Sequence, residues 1–446
     1  MPATFAIYVM IALCGGGLLF ALTVATPMRL MLPSFQKSRL VSFGVLSIFV
    51  LLFWPVESSD AYRQGDSLGL SRIMRIGVFF LLSIWCFSGL IRNPIWPKRS
   101  GLNWYVMYTA VCIGSGFFSP NPMETFWKSF ELLTLILFSF AVRRELITGV
   151  ISSRQLMDLF VYLAFSICVF SIVGWLLFPD VAHGIVEEGI ELNMESVWGI
   201  FPRVNPNMLS QIGAMTAYAG FVSFVTQRKV GFRDTVLFVI GFITLVLAHS
   251  RTSFIALMIS MILMPVLAGN KKILLVLLTS IGAVALSVGG VLVGFLLRGQ
   301  NQEQLLSLTG RVYMWVIAWN SFLADPWLGK GFYAGHKTLT MSNVAMAYSS
   351  VDNTYLESLV NVGVIGTFFL VGFVFTVSYG CFVLVKTFKK KGLSLFVPVL
   401  VSGYMLIMFL RSIGGPSFQV LHLNALLALM ILLIVEQDRR EALSAV

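Results

Sequence analysis

Charge is scarce in this sequence of 446 residues. Asp, Glu, Lys and Arg make up 11% of it, where a soluble chain carries about a quarter. The signatures of common soluble catalysts are missing too. There is no Walker loop, no GxGxxG opening a helix after a strand, no HExxH and no nucleophile elbow. That excludes a recognisable nucleotide site, and no carboxylate cluster suggests a bound divalent metal. The five cysteines, Cys14, Cys86, Cys112, Cys168 and Cys381, show neither CxxC nor metal-ligand spacing and all lie inside apolar runs. They read as small core residues rather than disulfides. No internal repeat or low-complexity tract is visible.

What the sequence has instead is apolar length. Hydrophobic residues make up 57% of the chain, and 273–297 and 358–385 contain no charge at all. About 20 apolar residues cross a bilayer as a helix, and continuous rather than alternating runs exclude a barrel. The expected fold is an all-α polytopic integral membrane protein, a single transmembrane domain over 1–446. Its spans fall near 4–24, 40–55, 76–92, 103–119, 127–142, 156–178, 208–226, 234–248, 252–268, 273–297, 358–385, 393–411 and 418–435, about 12–13 helices. The first segment lacks a basic leader and is long for a signal peptide, so it is expected to stay as a span.

The formal charge of +11 would point to nucleic acid in a soluble protein. Here it reads as topology, because basic loops favour the cytoplasm. Lys98 and Arg99, Arg143 and Arg144, Arg228 and Lys229, Lys271 and Lys272, and Lys389 to Lys391 fall in alternate loops. The loops between them, including 179–207 and 298–357, carry most of the acids. This alternation places the long loops outside and the C-terminus in the cytoplasm. Within the 298–357 loop, Gly310-Arg311 opens an amphipathic helix with Trp315, Ala318, Trp319 and Phe322 on one face, ended by Asp325-Pro326. Such a helix is expected to lie on the outer leaflet.

Few basic residues lie on the outer side. Arg203 enters a span at Phe201-Pro-Arg-Val-Asn-Pro-Asn207, and Arg251 sits in the tight turn His249-Ser-Arg-Thr-Ser253. A guanidinium at the bilayer edge is costly unless paired or solvated. Anion binding through its bidentate fork and snorkelling to headgroups both answer that cost. His249 is a proton-carrier candidate, though the arginine beside it disfavours protonation. His336 follows a glycine-rich turn, where backbone can approach a ligand, and Lys337 adjoins it. His422 reads as a helix–helix hydrogen-bonder inside the last span. Asp352-Asn353-Thr354-Tyr355-Leu356-Glu357 precedes Gly363-Val-Ile-Gly366. Thr354 and Glu357 have capping-box spacing, and Asp352 or Asn353 can also cap. Asp352 is alternatively a general base.

Taken in order, five pieces resemble the O-antigen ligase/O-antigen polymerase superfamily across roughly the second half of the chain. They are Arg203 with Asn205-Pro206-Asn207; Ser250-Arg251-Thr252; Gly310-Arg311 with Trp315; Pro326-Trp-Leu-Gly329-Lys-Gly331; and Asp352-Asn353 followed by Gly363-Val-Ile-Gly366-Thr367. The resemblance implies a GT-C-like membrane fold in the bacterial inner membrane, with a cavity facing the periplasm. It implies a metal-independent glycosyltransferase without a cofactor, whose donor is a glycan on undecaprenyl diphosphate, with a polysaccharide chain-length regulator as a partner. Arg203, Arg251 and Arg311 would hold the donor diphosphate, and Asp352 or His336 would act as base. Asn207, His249, Lys337, Asn353, Tyr355 and Arg411 would line the cavity. In ligases the residue before the asparagine is histidine, and here it is Asp352. That departure favours a polymerase of O-antigen or exopolysaccharide repeat units over a ligase acting on lipid A-core in lipopolysaccharide assembly. A lipid-linked sugar flippase is the further alternative, although the two-fold repeats common in transporters are absent.

Overall fold

The computed structural model describes residues 41, 44–45, 47–48, 70–92, 100–185, 195–199, 203–226, 230–297, 311–341 and 351–444. The expected span at 4–24, most of the one at 40–55, and residues 298–310 and 342–350 of the long loop lie outside them. The helices are α1 (Leu70–Arg92), α2 (Leu102–Gly114), α3 (Pro122–Ile147), α4 (Ser153–Leu177), the short α5 (Pro179–Ala182), α6 (Pro206–Val225) and α7 (Phe232–Leu247). After these come α8 (Arg251–Ala268), α9 (Lys271–Leu297), α10 (Arg311–Ala324), the short α11 (Lys337–Met341), α12 (Thr354–Lys390), α13 (Phe396–Ile413) and α14 (Leu423–Ser444). Two three-residue strands, β1 (His183–Ile185) and β2 (Glu195–Val197), pair antiparallel in the α5–α6 connection. The protein is an all-α polytopic membrane protein. Among the described residues, α3, α4, α6, α8, α12 and α13 are each long and apolar enough to cross a bilayer.

Helix starts follow capping chemistry. Asn121 accepts from the Glu124 amide ahead of Pro122. Ser152 and Gln155 form a reciprocal capping box, and Asn205 accepts from the Asn207 amide ahead of Pro206. Each cap satisfies an amide that the first turn leaves without a partner.

Helix α6 is the centre of the bundle and is buried on nearly every side. It contacts α4, α7, α8 and α13. Its closest neighbour is α7, and glycine makes that approach possible. A Cβ on Gly213 would lie 2.7 Å from the Leu245 amide nitrogen, and one on Gly241 would lie 2.6 Å from the Gly213 carbonyl oxygen. Lipid offers little hydrophobic drive between helices, so close backbone packing through small residues supplies the attraction.

The ion pairs among the described residues lie toward the two ends. At one end Arg143 binds Glu436 at 2.8 Å, Arg233 binds Asp158 at 2.9 Å, and Ser153 donates to Asp438. This is the end where the basic loops gather. The other end carries the 249–251 turn, α10, α11 and the start of α12.

Several boundaries differ from expectation. Helix α1 begins at Leu70, ahead of 76. Helix α12 starts at Thr354 and is interrupted at Gly363, whose φ of 63° and ψ of −167° lie outside the helical region. The last helix begins at Leu423, five residues after the expected 418, because the chain over 414–422 is buried without being helical. His422 therefore precedes the helix instead of lying in it. Its Nδ1 accepts from the Asn424 amide at 3.2 Å, so it shields a helix start and does not bridge two helices. The described cysteines, Cys86, Cys112, Cys168 and Cys381, are free and buried as expected.

The α6–α7 contact gives a direct test. Gly241→Leu is expected to lower the thermal unfolding midpoint in detergent, because overpacking costs about 1–3 kcal/mol. Gly282→Leu on α9, where nothing lies within 4 Å of a built Cβ, should leave it unchanged.

Candidate functional site

The site is assembled where three departures from regular helix meet: the 249–251 turn, the broken start of α12 and the 414–422 segment. His249 adopts a positive φ of 52°. Its Nδ1 lies 3.0 Å from the Leu247 carbonyl. A carbonyl only accepts, so Nδ1 carries the hydrogen. The turn lets α8 begin at Arg251, with Ser250 in extended geometry before it.

Asp352 also has a positive φ, 51°, and its carboxylate meets Arg311 Nε at 3.2 Å. Asn353 is the cap of α12, its side chain accepting from the Tyr355 and Leu356 amides at 3.0 Å each. The expected Thr354–Glu357 capping box does not form. Thr354 instead donates to the Gly415 carbonyl at 2.8 Å, and Glu357 is turned into the protein. Asp352 is thus released from capping and committed to Arg311.

Arg411 ends α13 and is 7% exposed. Its Nη1 donates to the Gly414 carbonyl at 2.8 Å, and its Nε has no partner. Arg311 and Asp352 both lie within its electrostatic reach, but no carboxylate is within ion-pair distance of it among the described residues. Gly414 ties the groups together: a Cβ there would lie 3.1 Å from Thr252 Cγ2 and 3.7 Å from Arg311 Nη1. Arg311 and Arg411 are therefore brought to one neighbourhood with Asp352, and the first turn of α8, which begins at Arg251, lies beside them. Tyr355 joins them, its hydroxyl accepting from Ser412 at 3.1 Å.

The remaining expected residues have partners of their own. Arg203 is exposed and lies over the Trp198 ring, 5.5 Å from its centroid. Asn207 is in the first turn of α6, its amide held by Asn205. His336 is only 4% exposed. Its amide donates to Asn361 Oδ1 at 2.8 Å, and its Nδ1 lies 3.8 Å from Glu357 Oε1. Lys337 pairs with Glu124 at the start of α3 and lies over Tyr333. His336 and Lys337 thus pin the long loop to α12 and α3.

The Pro326–Gly331 and Gly363–Gly366 motifs turn out to be one unit. Gly363 opens α12, and the loop fills the gap with hydrogen bonds. Lys330 and Gly331 amides donate to the Val360 and Asn361 carbonyls, each at 2.9 Å, and the Val364 amide donates to the Pro326 carbonyl at 2.8 Å. The approach is too close for side chains, because a Cβ on Gly329 would lie 2.6 Å from the Gly363 nitrogen. On its other side the loop is fixed through Phe332, whose amide donates to Ser115 and whose carbonyl accepts from Thr125. Helix α10 packs on α12 through Ala318 and Phe322 with Leu339, Val351 and Val360. Trp315 donates to the Val351 carbonyl, whereas Trp319, expected on the same face, is 49% exposed.

Asn361, Gly414 and Gly415 carry weight that the sequence did not assign, and Glu357, expected in a capping box, serves His336 instead. The helix-breaking Gly414-Gly415-Pro416 triplet was the available signal. Asn361 gave none, and the spacing of Glu357 pointed to a cap, since long-range partners decide both roles.

Residues 236–371 match the family model described as O-Antigen ligase. The match includes Arg251, Arg311, His336 and Asp352, while Arg203 and Arg411 lie outside it. A comparison with curated proteins gives no match.

Gly363→Ala should undock the loop. The conformation is essentially restricted to glycine and costs any other residue about 1–3 kcal/mol. Limited proteolysis is expected to cut within 311–341 faster, while fragments spanning α6–α7 stay protected.

Proposed function

From the match of residues 236–371 to the O-antigen ligase family model, we propose that this chain is a membrane glycosyltransferase that joins undecaprenyl-diphosphate-linked repeat units at the periplasmic face of the bacterial inner membrane. The observation that carries the reading is the charge imbalance at the site. Among the described residues, Arg311 and Arg411 have one nearby carboxylate, Asp352, and Arg411 is buried with no hydrogen-bond partner at its Nε. A buried guanidinium without an ion-pair partner costs several kcal/mol, and a dianionic diphosphate offsets that cost through bidentate hydrogen bonds.

In this reading the donor diphosphate takes the guanidinium of Arg311 and frees Asp352. The Asp352 carboxylate then removes the proton from an acceptor sugar hydroxyl. That oxygen attacks the anomeric carbon of the donor as the bond from this carbon to the diphosphate oxygen breaks. Undecaprenyl diphosphate leaves with the bond's electron pair, its growing charge stabilised by the arginines. No nucleotide sugar and no metal enters the scheme. Asp352 suits the base better than His336, whose ring is buried against Asn361 and Glu357. Arg203 waits at the entry of α6 for the same diphosphate.

A ligase remains the second reading, favoured by the description of the matching family. Asp352 in place of histidine argues for polymerisation.

Arg251→Ala, Arg411→Ala and Asp352→Asn should each reduce polymer formation by about 100-fold or more, with the proteins still inserted and monodisperse. Arg251→Lys should rescue poorly, because a lysine cannot reproduce the bidentate fork. Chelator treatment should leave activity intact. Full activity in Arg251→Ala, or strict dependence on a divalent metal, would overturn the proposal.

A further inference from the structure

At the opposite end of the bundle from the arginines, a groove of about 360 Å³ runs between the last turn of α8 and the first turns of α9. Pro265, Val266, Leu274, Leu275 and Leu278 make its walls, and Lys271 stands at its mouth. Val266, Leu275 and Leu278 are 50–64% exposed although they belong to apolar helices. The groove therefore opens sideways, toward the bilayer. Its polar end is built firmly. Gly269 closes α8 with φ of 81°, and the Asn270 side chain donates to the Val225 carbonyl while accepting from the Ile273 amide.

A second cation reaches the same end from another helix. The side chain of Lys389, on the last turn of α12, packs over Gly269, with its Cε 3.0 Å from where a Cβ would be. Among the described residues no carboxylate pairs with Lys271, Lys272 or Lys389. An apolar, laterally open channel that ends at unneutralised ammonium groups matches one ligand chemistry: an acyl chain joined to an anionic headgroup. We propose that the α8–α9 groove is a binding site for an anionic phospholipid, its acyl chain along Val266, Leu275 and Leu278 and its phosphate at Lys271 and Lys389. The site is independent of the glycosyl-transfer reading.

The test uses the purified full chain, with retained lipid counted by native mass spectrometry after exchange into phosphatidylglycerol or phosphatidylcholine. Wild type is expected to retain phosphatidylglycerol preferentially. Lys271→Gln and Lys389→Gln should each lower that preference about five-fold, from roughly 1 kcal/mol per surface lysine. Lys386→Gln should not, because that ammonium already lies over Phe382, 4.2 Å from the ring centroid. Leu275→Trp, which fills the groove, should remove the bound lipid without changing the elution profile. Equal retention of the two lipids by wild type would overturn the proposal, as would a preference that survives loss of both lysines. So would a dimer seated on α9 whose stability ignores headgroup charge, or inorganic phosphate competing the lipid off completely at millimolar concentration.

Discussion

The break at Gly363 and the 414–422 segment abandon helical geometry within the protein, and their backbone groups must find partners that the helices do not supply. Apolar surroundings tolerate such backbone only where protein or a polar cavity satisfies it. The 414–422 segment meets the requirement with long-range donors. Arg411 and Thr354 serve the Gly414 and Gly415 carbonyls, and the hydroxyls of Tyr105 and Tyr108 on α2 serve the Phe418 and Gln419 carbonyls. At Gly363 the donors and acceptors come from the Pro326–Gly331 loop instead. The candidate site depends on both solutions. One brings Arg411 beside Arg311, and the other anchors the loop whose neighbouring helix carries Arg311.

The same constraint explains why charge is spent so unevenly. At the end where the basic loops gather, acids are paired with bases: Glu436 with Arg143, and Asp158 with Arg233. Those pairs stitch α14 to α3 and α7 to α4. At the other end, Arg311 and the buried Arg411 have Asp352 as the one carboxylate near them among the described residues.

Much of this architecture was legible in the sequence because apolar length and loop charge are local signals. The helices over 122–147, 153–177, 206–225 and 251–268 lie close to the expected spans. Arg251 stood out because a guanidinium is conspicuous between two apolar runs. What escaped were features set by partners far along the chain. The spacing of Thr354 and Glu357 is that of a capping box, yet Thr354 is drawn to Gly415 and Glu357 to His336, so Asn353 caps alone. The run from 418 reads as a span because its apolar residues are buried, but they are buried as irregular chain. The glycines of 329 and 363 are visible as punctuation, and only the fold reveals that they face each other.

The central claim, that the end of the bundle carrying Arg251, Arg311 and Arg411 serves the joining of lipid-linked repeat units, is tested most directly by deleting the gene and resolving surface and lipid-linked glycans on gels. The account predicts loss of long polymer, with single repeat units left on lipid A-core or accumulating on undecaprenyl diphosphate. Long polymer accumulating on undecaprenyl diphosphate without reaching lipid A-core would contradict polymerisation and assign ligation, and an unchanged glycan profile would contradict both.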